Sequence, residues 1–373
     1  MREDWIEFGE VTVNFDGQRK PLSRIYRENF KGIYPYYGAC EIIDYVKDFL
    51  FDGDYILIGE DGANLLSRSK PLSFIASGKF WVNNHAHVVK PISSINLKFI
   101  NLQFNSIQIN DFVTGTAQPK LNQNNLNKIP IIIAPLPEQR AIVAKIEQLF
   151  SELDNGIASF KTAQTQLEIY RQSVLKKAFE GESTTFLIKE LGSIGKWSGG
   201  GTPSKNNIDF WENGNILWVS PKDMKTKIIN DTIDKITENS IKKSSAKWID
   251  KHSILIVVRS GIIRRTLPIA IAGRRLTVNQ DMQCITPDTN LISEFLYWYL
   301  ISEEKNIRQK CAKTGTTVDN INVSLLKKYP VPFFSIEEQK QIVQEIESRL
   351  SVCDKLAETI KAELDKAEAL RQT

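Results

Sequence analysis

Two arginine pairs, Arg264-Arg265 and Arg274-Arg275, are the densest groups able to do chemistry in this chain of 373 residues. A guanidinium offers a planar fork of donors that suits phosphate oxygens and the guanine edge. Around them in the second half stand Lys222 beside Trp218 and Ser220, the pair Lys242-Lys243, and Thr202 and Ser204 in the run Gly199-Gly200-Gly201-Thr202-Pro203-Ser204. The first half carries Gln18-Arg19-Lys20, Arg24, Tyr36-Tyr37-Gly38, Lys79 and Asn83-Asn84-His85. Asparagine matches the adenine edge, and lysine and arginine bind phosphate. Taken one at a time, each of these is more often a solvated surface residue; taken as sets, they suit a polyanion. The candidates are Arg19, Lys20, Tyr37, Lys79, Asn84 and His85 in the first half, with Thr202, Ser204, Lys222, Arg264, Arg265, Arg274 and Arg275 in the second.

Patterns for catalysis are sparse. The triple glycine lacks the Walker spacing and its Gly-Lys-Ser/Thr ending, so a glycine-rich turn is the expected structure. His85 and His87 alternate on an expected strand and, with His252, exhaust the histidines. Two such ligands without a third make a poor metal site, and no metal is expected. There is no Asp/Asn-Pro-Pro-Tyr/Phe tetrapeptide for gripping an exocyclic amine and no G-x-S-x-G elbow. A carboxylate-plus-lysine nuclease site stays open on spacing alone.

The net charge of +4 conceals its distribution. Residues 1–135 and 136–184 are nearly neutral; residues 185–335 hold 22 basic and 14 acidic side chains, net +8, and residues 336–373 are net −3. A polyanion partner therefore suits the second globular segment, whereas the first needs a local basic face. Cys40, Cys284, Cys311 and Cys353 form no C-x-x-C pair, and no apolar run approaches the roughly 20 residues of a membrane helix. A reduced, cytoplasmic location is expected.

The elements that position these residues are organised around residues 137–180, where proline is confined to the start and apolar residues fall in two series repeating every seven. One is Ile146, Leu153, Phe160, Leu167, Val174; the other is Ile142, Leu149, Gly156, Ala163, Tyr170. This a/d spacing predicts a helix of roughly 60 Å that buries a narrow seam against another helix. The partner is predicted at 337–373, where Val343, Ile346, Leu350, Cys353, Ala357, Ile360, Leu364 and Ala367 alternate gaps of three and four. Small residues at Gly156 and Ala163, facing Ala357 or Ala367, predict close approach of the two helices. Sliding the chain by 200 residues superimposes Thr114-Gly115-Thr116 on Thr314-Gly315-Thr316, Pro130 on Pro330 and Glu138-Gln139 on Glu338-Gln339, with 15 identities in the 41 pairs from 114 to 154. The chain is an internal duplication.

Within the copies, Ser253–Ile256 matches Tyr55–Ile58, Leu276–Gln280 matches Phe80–Asn84, and these read as strands. Leu97–Phe104 fits a short helix or a strand, Leu121–Asn127 a loop, and Phe295–Lys310 one amphipathic helix. The expected fold class is α+β: mixed α/β globular segments at 1–135 and 185–335, separated by long antiparallel heptad helices at 136–184 and 336–373, with pseudo-twofold repetition.

This layout resembles the specificity subunit of type I restriction-modification systems. The resemblance spans the chain and rests on Pro135–Val143, on the helix-end run Tyr170–Gly181, on Gly200–Ser204 with Trp211, Gly214, Ile216 and Trp218 downstream, and on Thr314–Thr317 leading to Ile321-Asn322. It implies two target-recognition domains, each reading half of a split, asymmetric site on double-stranded DNA. The paired helices would set the gap and dock two modification subunits, through a seam that includes Ile146, Leu153, Phe160, Leu167, Val174, Ile346, Cys353 and Ile360. Those partners would bind S-adenosylmethionine and methylate adenine N6, and restriction subunits would join the complex; this chain would hold no cofactor and catalyse nothing. The second helix lacks a counterpart of Val174–Gly181, which implies weaker docking there. The competing readings are an assembly scaffold without base-specific DNA binding and a fused DNA-modifying enzyme.

Overall fold

The computed structural model describes residues 5–115, 117–180, 187–313 and 320–372; Thr116, Gly181 and Thr314–Thr317, named above, lie outside them. The chain divides into two compact units, Met1–Asn155 and Gly156–Thr373.

In the first unit, one four-stranded sheet has the order Thr12–Asn14, Ala86–Pro91, Tyr55–Gly59, Ser73–Ala76, and a second has the order Ile42–Val46, Lys31–Tyr37, Lys79–Val82, Phe51–Asp52. The near-continuous apolar run Ile56-Leu57-Ile58 lies centrally, and its two faces feed separate cores: Ile56 and Ile58 pack with Phe8, Ile100 and Phe104, and Leu57 with Phe51, Phe80 and Val88. Leu97–Ser106 is a helix, capped by Asn96. The asparagine run forms a short helix, Gln123–Asn127, rather than a loop. Its cause is local: the Asn122 side chain accepts from the Asn125 amide, the side-chain cap that makes asparagine a helix starter.

The second unit repeats the plan. A five-stranded sheet runs Gly195–Gly199, Met282–Pro287, Ile254–Val257, Ile269–Ala272, Ile228–Ile229, and a four-stranded sheet runs Asp234–Ile236, Ile216–Val219, Leu276–Val278, Trp248–Ile249. Residues 295–310 do not form one helix. Ser293–Ser302 and Glu304–Cys311 are separate, broken at Glu303, whose carboxylate is engaged by Tyr329 and Asn306. Asn322 caps Val323–Lys327, in the same register as Asn122.

The long helices are Leu136–Glu180 and Ile336–Gln372, hereafter the central and C-terminal helices. Prolines 135 and 137 with Glu138 open the first, where a missing amide costs nothing. The second opens on a capping box, Ser335 and Glu338 each receiving the other's amide at 2.9 and 3.3 Å. Within the second unit Arg171 pairs with Asp354, and Lys161 with Glu368. As one helix ascends, the other descends, so these stretches run antiparallel.

The seam on the C-terminal helix lies where the spacing puts it, with Ile346, Leu350, Cys353, Leu364 and Ala367 buried and Val343, Ala357 and Ile360 half-buried. On the central helix the series Ile146, Leu153, Phe160, Leu167, Val174 is likewise turned inward. The other series is displaced by one residue at three positions, where Ile142, Leu149 and Tyr170 are exposed while Val143 is buried and Phe150 and Arg171 are half-buried; Gly156 and Ala163 stay half-buried, and Gln164 is exposed. Adjacent apolar positions such as Ile142 and Val143 satisfy a heptad equally, and tertiary packing chooses between them. Gly156 is not a point of close approach either, since a Cβ there would meet nothing within 4 Å.

Candidate nucleic-acid interface

In both units a pair of parallel strands ends at the same kind of pole. In the first they are Lys31–Tyr37 and Lys79–Val82, and in the second Ile216–Val219 and Leu276–Val278. Beyond each pair the backbone closes through matching hydrogen bonds. Asn83 N donates to Tyr37 O at 3.1 Å, Glu60 N to His85 O at 2.9 Å and Leu121 N to Glu60 O at 2.8 Å. The counterparts are Asn279 N to Val219 O at 2.9 Å, Val258 N to Asp281 O at 2.8 Å and Ile321 N to Val258 O at 2.8 Å. Buried Asn83 and Asn279 each accept, through Oδ1, the amide two residues on, at 2.9 and 3.1 Å. The strand termini thus present a turn residue outward: Asn84 in one unit and Gln280 in the other, both exposed.

The second pole is built on tryptophans. Trp218 Nε1 donates to Gly201 O and Trp211 Nε1 to Ser204 O, each at 3.0 Å, and the two rings meet edge-on at 5.1 Å. They seat the glycine run against the strand ends. A Cβ on Gly200 would lie 1.9 Å from Asn279 O and one on Gly201 2.4 Å from Ser245 Oγ, so the glycines serve close backbone approach. Thr202 Oγ1 donates to Gln280 Oε1. Ser204 is exposed beside them, and Lys222 is exposed on the turn that Ser220 and Asp223 close at the end of Ile216–Val219.

The four arginines do not form one cluster. Arg264 and Arg265 are exposed on the loop that precedes Ile269–Ala272, whereas Arg274 and Arg275 follow that strand, at its opposite end. Arg275 lies 4.4 Å over the Trp248 ring and 3.8 Å from Asp250, and the Arg274 charge contributes to holding the Asp231 carboxyl low, after the larger effects of Lys235 and the Thr232 amide. Paired arginines thus mark two ends of a sheet rather than one patch.

In the first unit Asn84 and His85 are exposed, and His85 Nδ1 sits 2.7 Å from Asp61. Tyr37 is half-buried against Phe74 and Phe80, and burial pushes its hydroxyl pKa up. Lys79 stands at the other end of its strand, 4.5 Å over the Phe49 ring. Lys20 is exposed, its carbonyl accepting from Trp81. Arg19 is not available to a ligand: its guanidinium donates to Glu60 and to Ala86 O, both at 2.7 Å, and pairs with Asp16.

That network was not visible in the sequence. Buried His87 places Nδ1 2.5 Å from Asp16 and Nε2 2.7 Å from Leu121 O. Burial alone would raise the Asp16 carboxyl, but His87, the Val88 amide and Arg19 outweigh it and hold the group below its ordinary range; Glu60 is lowered likewise, by Arg19, His87 and Lys120 against burial. Asp16, Glu60 and His87 bring one ligand atom each within 4.8 Å, yet Arg19 and Lys120 already supply the cations, and the cluster is a salt-bridged brace behind the pole.

The expected seam residue Val174 keeps an inward place, in a core that also holds Ile346 and Leu350 of the C-terminal helix. Val174 is buried in the core of the second unit together with Phe179, whose ring meets Phe295 at 5.5 Å and Tyr299 at 5.3 Å. The end of the central helix is consumed by its own globular segment, because its apolar side chains find partners there. Among the described residues, no helix is long and apolar enough to cross a membrane.

Comparison with known proteins agrees with this geometry. The family described as type I restriction modification DNA specificity domain matches residues 6–159 and again 182–366. A type I restriction enzyme specificity subunit of Escherichia coli is 34% identical over 275 residues, covering 72% of this chain and 67% of that protein. A putative type I restriction enzyme specificity subunit of Haemophilus influenzae is 27% identical and covers 98% of this chain and 92% of its own length. Among solved structures, the HsdS subunit of Thermoanaerobacter tengcongensis superimposes with a TM-score of 0.65 at 18% identity, covering 99% of this chain and 94% of that one. The two family matches fall on the two copies of the fold, and the chain belongs to the type I restriction-modification DNA specificity family.

Proposed function

We propose that this chain is the DNA-recognition subunit of a type I restriction-modification complex. Segments 1–135 and 185–335 act as target-recognition domains, each reading one half of a bipartite, asymmetric site. The helices within 136–184 and 336–373 form the spacer and dock two adenine-N6 methyltransferase subunits, which hold S-adenosylmethionine. The chain is a non-catalytic, cytoplasmic component, and restriction subunits join the same complex. The observation that carries this reading is the duplicated pole: two copies of one backbone frame bearing different exposed residues, as two readers of different sequence require. Lys20, Asn84 and His85 at or beside the first pole, and Ser204, Lys222, Arg264 and Arg265 at or beside the second, are the candidate DNA contacts. Lys79, Arg274 and Arg275, at the far strand ends, suit phosphate contacts. The test is the methylome of cells expressing this chain with its modification subunit. A gapped motif methylated on adenine is expected, and methylation that is ungapped or independent of this chain overturns the proposal.

A further inference from the structure

Gln139 and Gln339, related by the 200-residue register, are both fully buried, although glutamine is ordinarily a surface residue. Gln139 Oε1 accepts the Asn96 amide at 2.7 Å, and its Nε2 donates to Ala134 O at 2.7 Å. Gln339 Oε1 accepts the Ile292 amide at 2.8 Å, and its Nε2 donates to Phe334 O at 2.9 Å and Asn290 O at 3.0 Å. In both copies one amide therefore ties the first turn of a long helix to the connector before it and to the start of the main helix of its own globular segment, Leu97–Ser106 or Ser293–Ser302. Two turns further, the pattern repeats with charge. Glu147 pairs with Lys98, and Glu347 with Lys227, with Trp298 Nε1 also 3.4 Å away. Each helix thus has two polar ties to its segment, eight residues apart and about 12 Å along the axis, beside apolar packing such as that of Ile342, Val343 and Ile346 in the second copy. Apolar contact is non-directional, whereas two hydrogen-bonded ties fix a direction.

We propose that Gln139 with Glu147, and Gln339 with Glu347, are positioning residues that set the angle at which each recognition domain stands on its helix, and thereby the gap between half-sites that the protein accepts. This rests on the bipartite reading above. The test uses the full chain assembled with its modification subunits and a set of duplexes carrying both half-sites separated by gaps that differ by single base pairs. Gln139→Met and Gln339→Met keep the side-chain volume and remove the hydrogen bonds. Each is expected to raise methylation at gaps one base pair longer and shorter by at least about fivefold relative to the wild-type gap, since a single lost hydrogen bond is worth that factor and each variant loses more than one, with the bases required in each half-site unchanged. Glu347→Gln, at a partly exposed position, carries the same expectation should a buried variant fail to fold. An unchanged gap preference, whether or not melting falls, overturns the proposal, and so does relaxation of the half-site bases in place of the gap. A wild-type complex with no gap preference refutes instead the bipartite reading on which it rests.

Discussion

Replacing Phe179 by alanine probes whether the end of the central helix belongs to the second globular segment. A side chain of this kind buries roughly 150–250 Å². At about 25 cal/mol per Å², that burial is worth at most roughly 4–6 kcal/mol, and the compactness of real unfolded chains lowers the figure. Phe179 is 9% exposed, and its two edge-on ring pairs add about 0.5–1.5 kcal/mol each. A loss of about 3–5 kcal/mol is expected, in line with large-to-small core changes generally. Urea unfolding followed by tryptophan fluorescence is the assay, because five of the seven tryptophans, at 197, 211, 218, 248 and 298, report on this segment. Ile169→Ala, at a position 60% exposed on the same helix, serves as the control and should change stability by less than about 0.5 kcal/mol. A Phe179→Ala cost below about 1 kcal/mol would refute the assignment and return this helix end to the role of a free docking surface.

Gly156→Ala should stabilise the chain by about 0.5–1 kcal/mol in thermal unfolding, since open space surrounds the new methyl and a helix-interior glycine is costly; destabilisation would mean that the helices do approach closely there. Gly200→Ala should abolish recognition of one half-site in binding assays, because the added carbon would overlap Asn279 O. Asp16 and Glu60 have folded pKa values lowered from the ordinary carboxylate range, so they stabilise the fold above about pH 4 and that contribution is lost as pH falls through the lowered values. Asp16→Asn should accordingly lower stability at pH 7 and make the acid unfolding limb shallower, and an unaltered limb would contradict the brace. Arg275→Ala should weaken binding to all duplex sequences alike and reduce the salt slope by about one, whereas selective loss at one base would make it a base reader.

Much of the architecture was legible because long periodic segments and a duplicated register are strong signals. The C-terminal seam could be read directly, while the central one was misplaced by a residue at Ile142/Val143, Leu149/Phe150 and Tyr170/Arg171. The duplication itself held the remedy for the first two: subtracting 200 from Val343 and Leu350 yields Val143 and Phe150. Short elements fared worse, since the helix at Gln123–Asn127 depends on one cap and the division between Ser293–Ser302 and Glu304–Cys311 on the backbone of the single residue Glu303. The candidate contacts were legible as residue types but not as places. Sequence proximity joined Arg264-Arg265 to Arg274-Arg275, although a strand holds them apart, and nothing in the local pattern reveals that Arg19 is committed to Glu60, 41 positions away.

The part of the frame that the two poles share is made of main-chain amides and carbonyls, with the side chains of Asn83 and Asn279 as its common polar props. Backbone groups are the same whatever residue bears them. Exposed positions such as Asn84 and Lys222 can therefore be exchanged at small cost to stability, as surface changes usually are. A reader built in this way separates the grammar of its fold from its vocabulary, so a new target word can be acquired by substitution at the rim while the sentence structure beneath it stands.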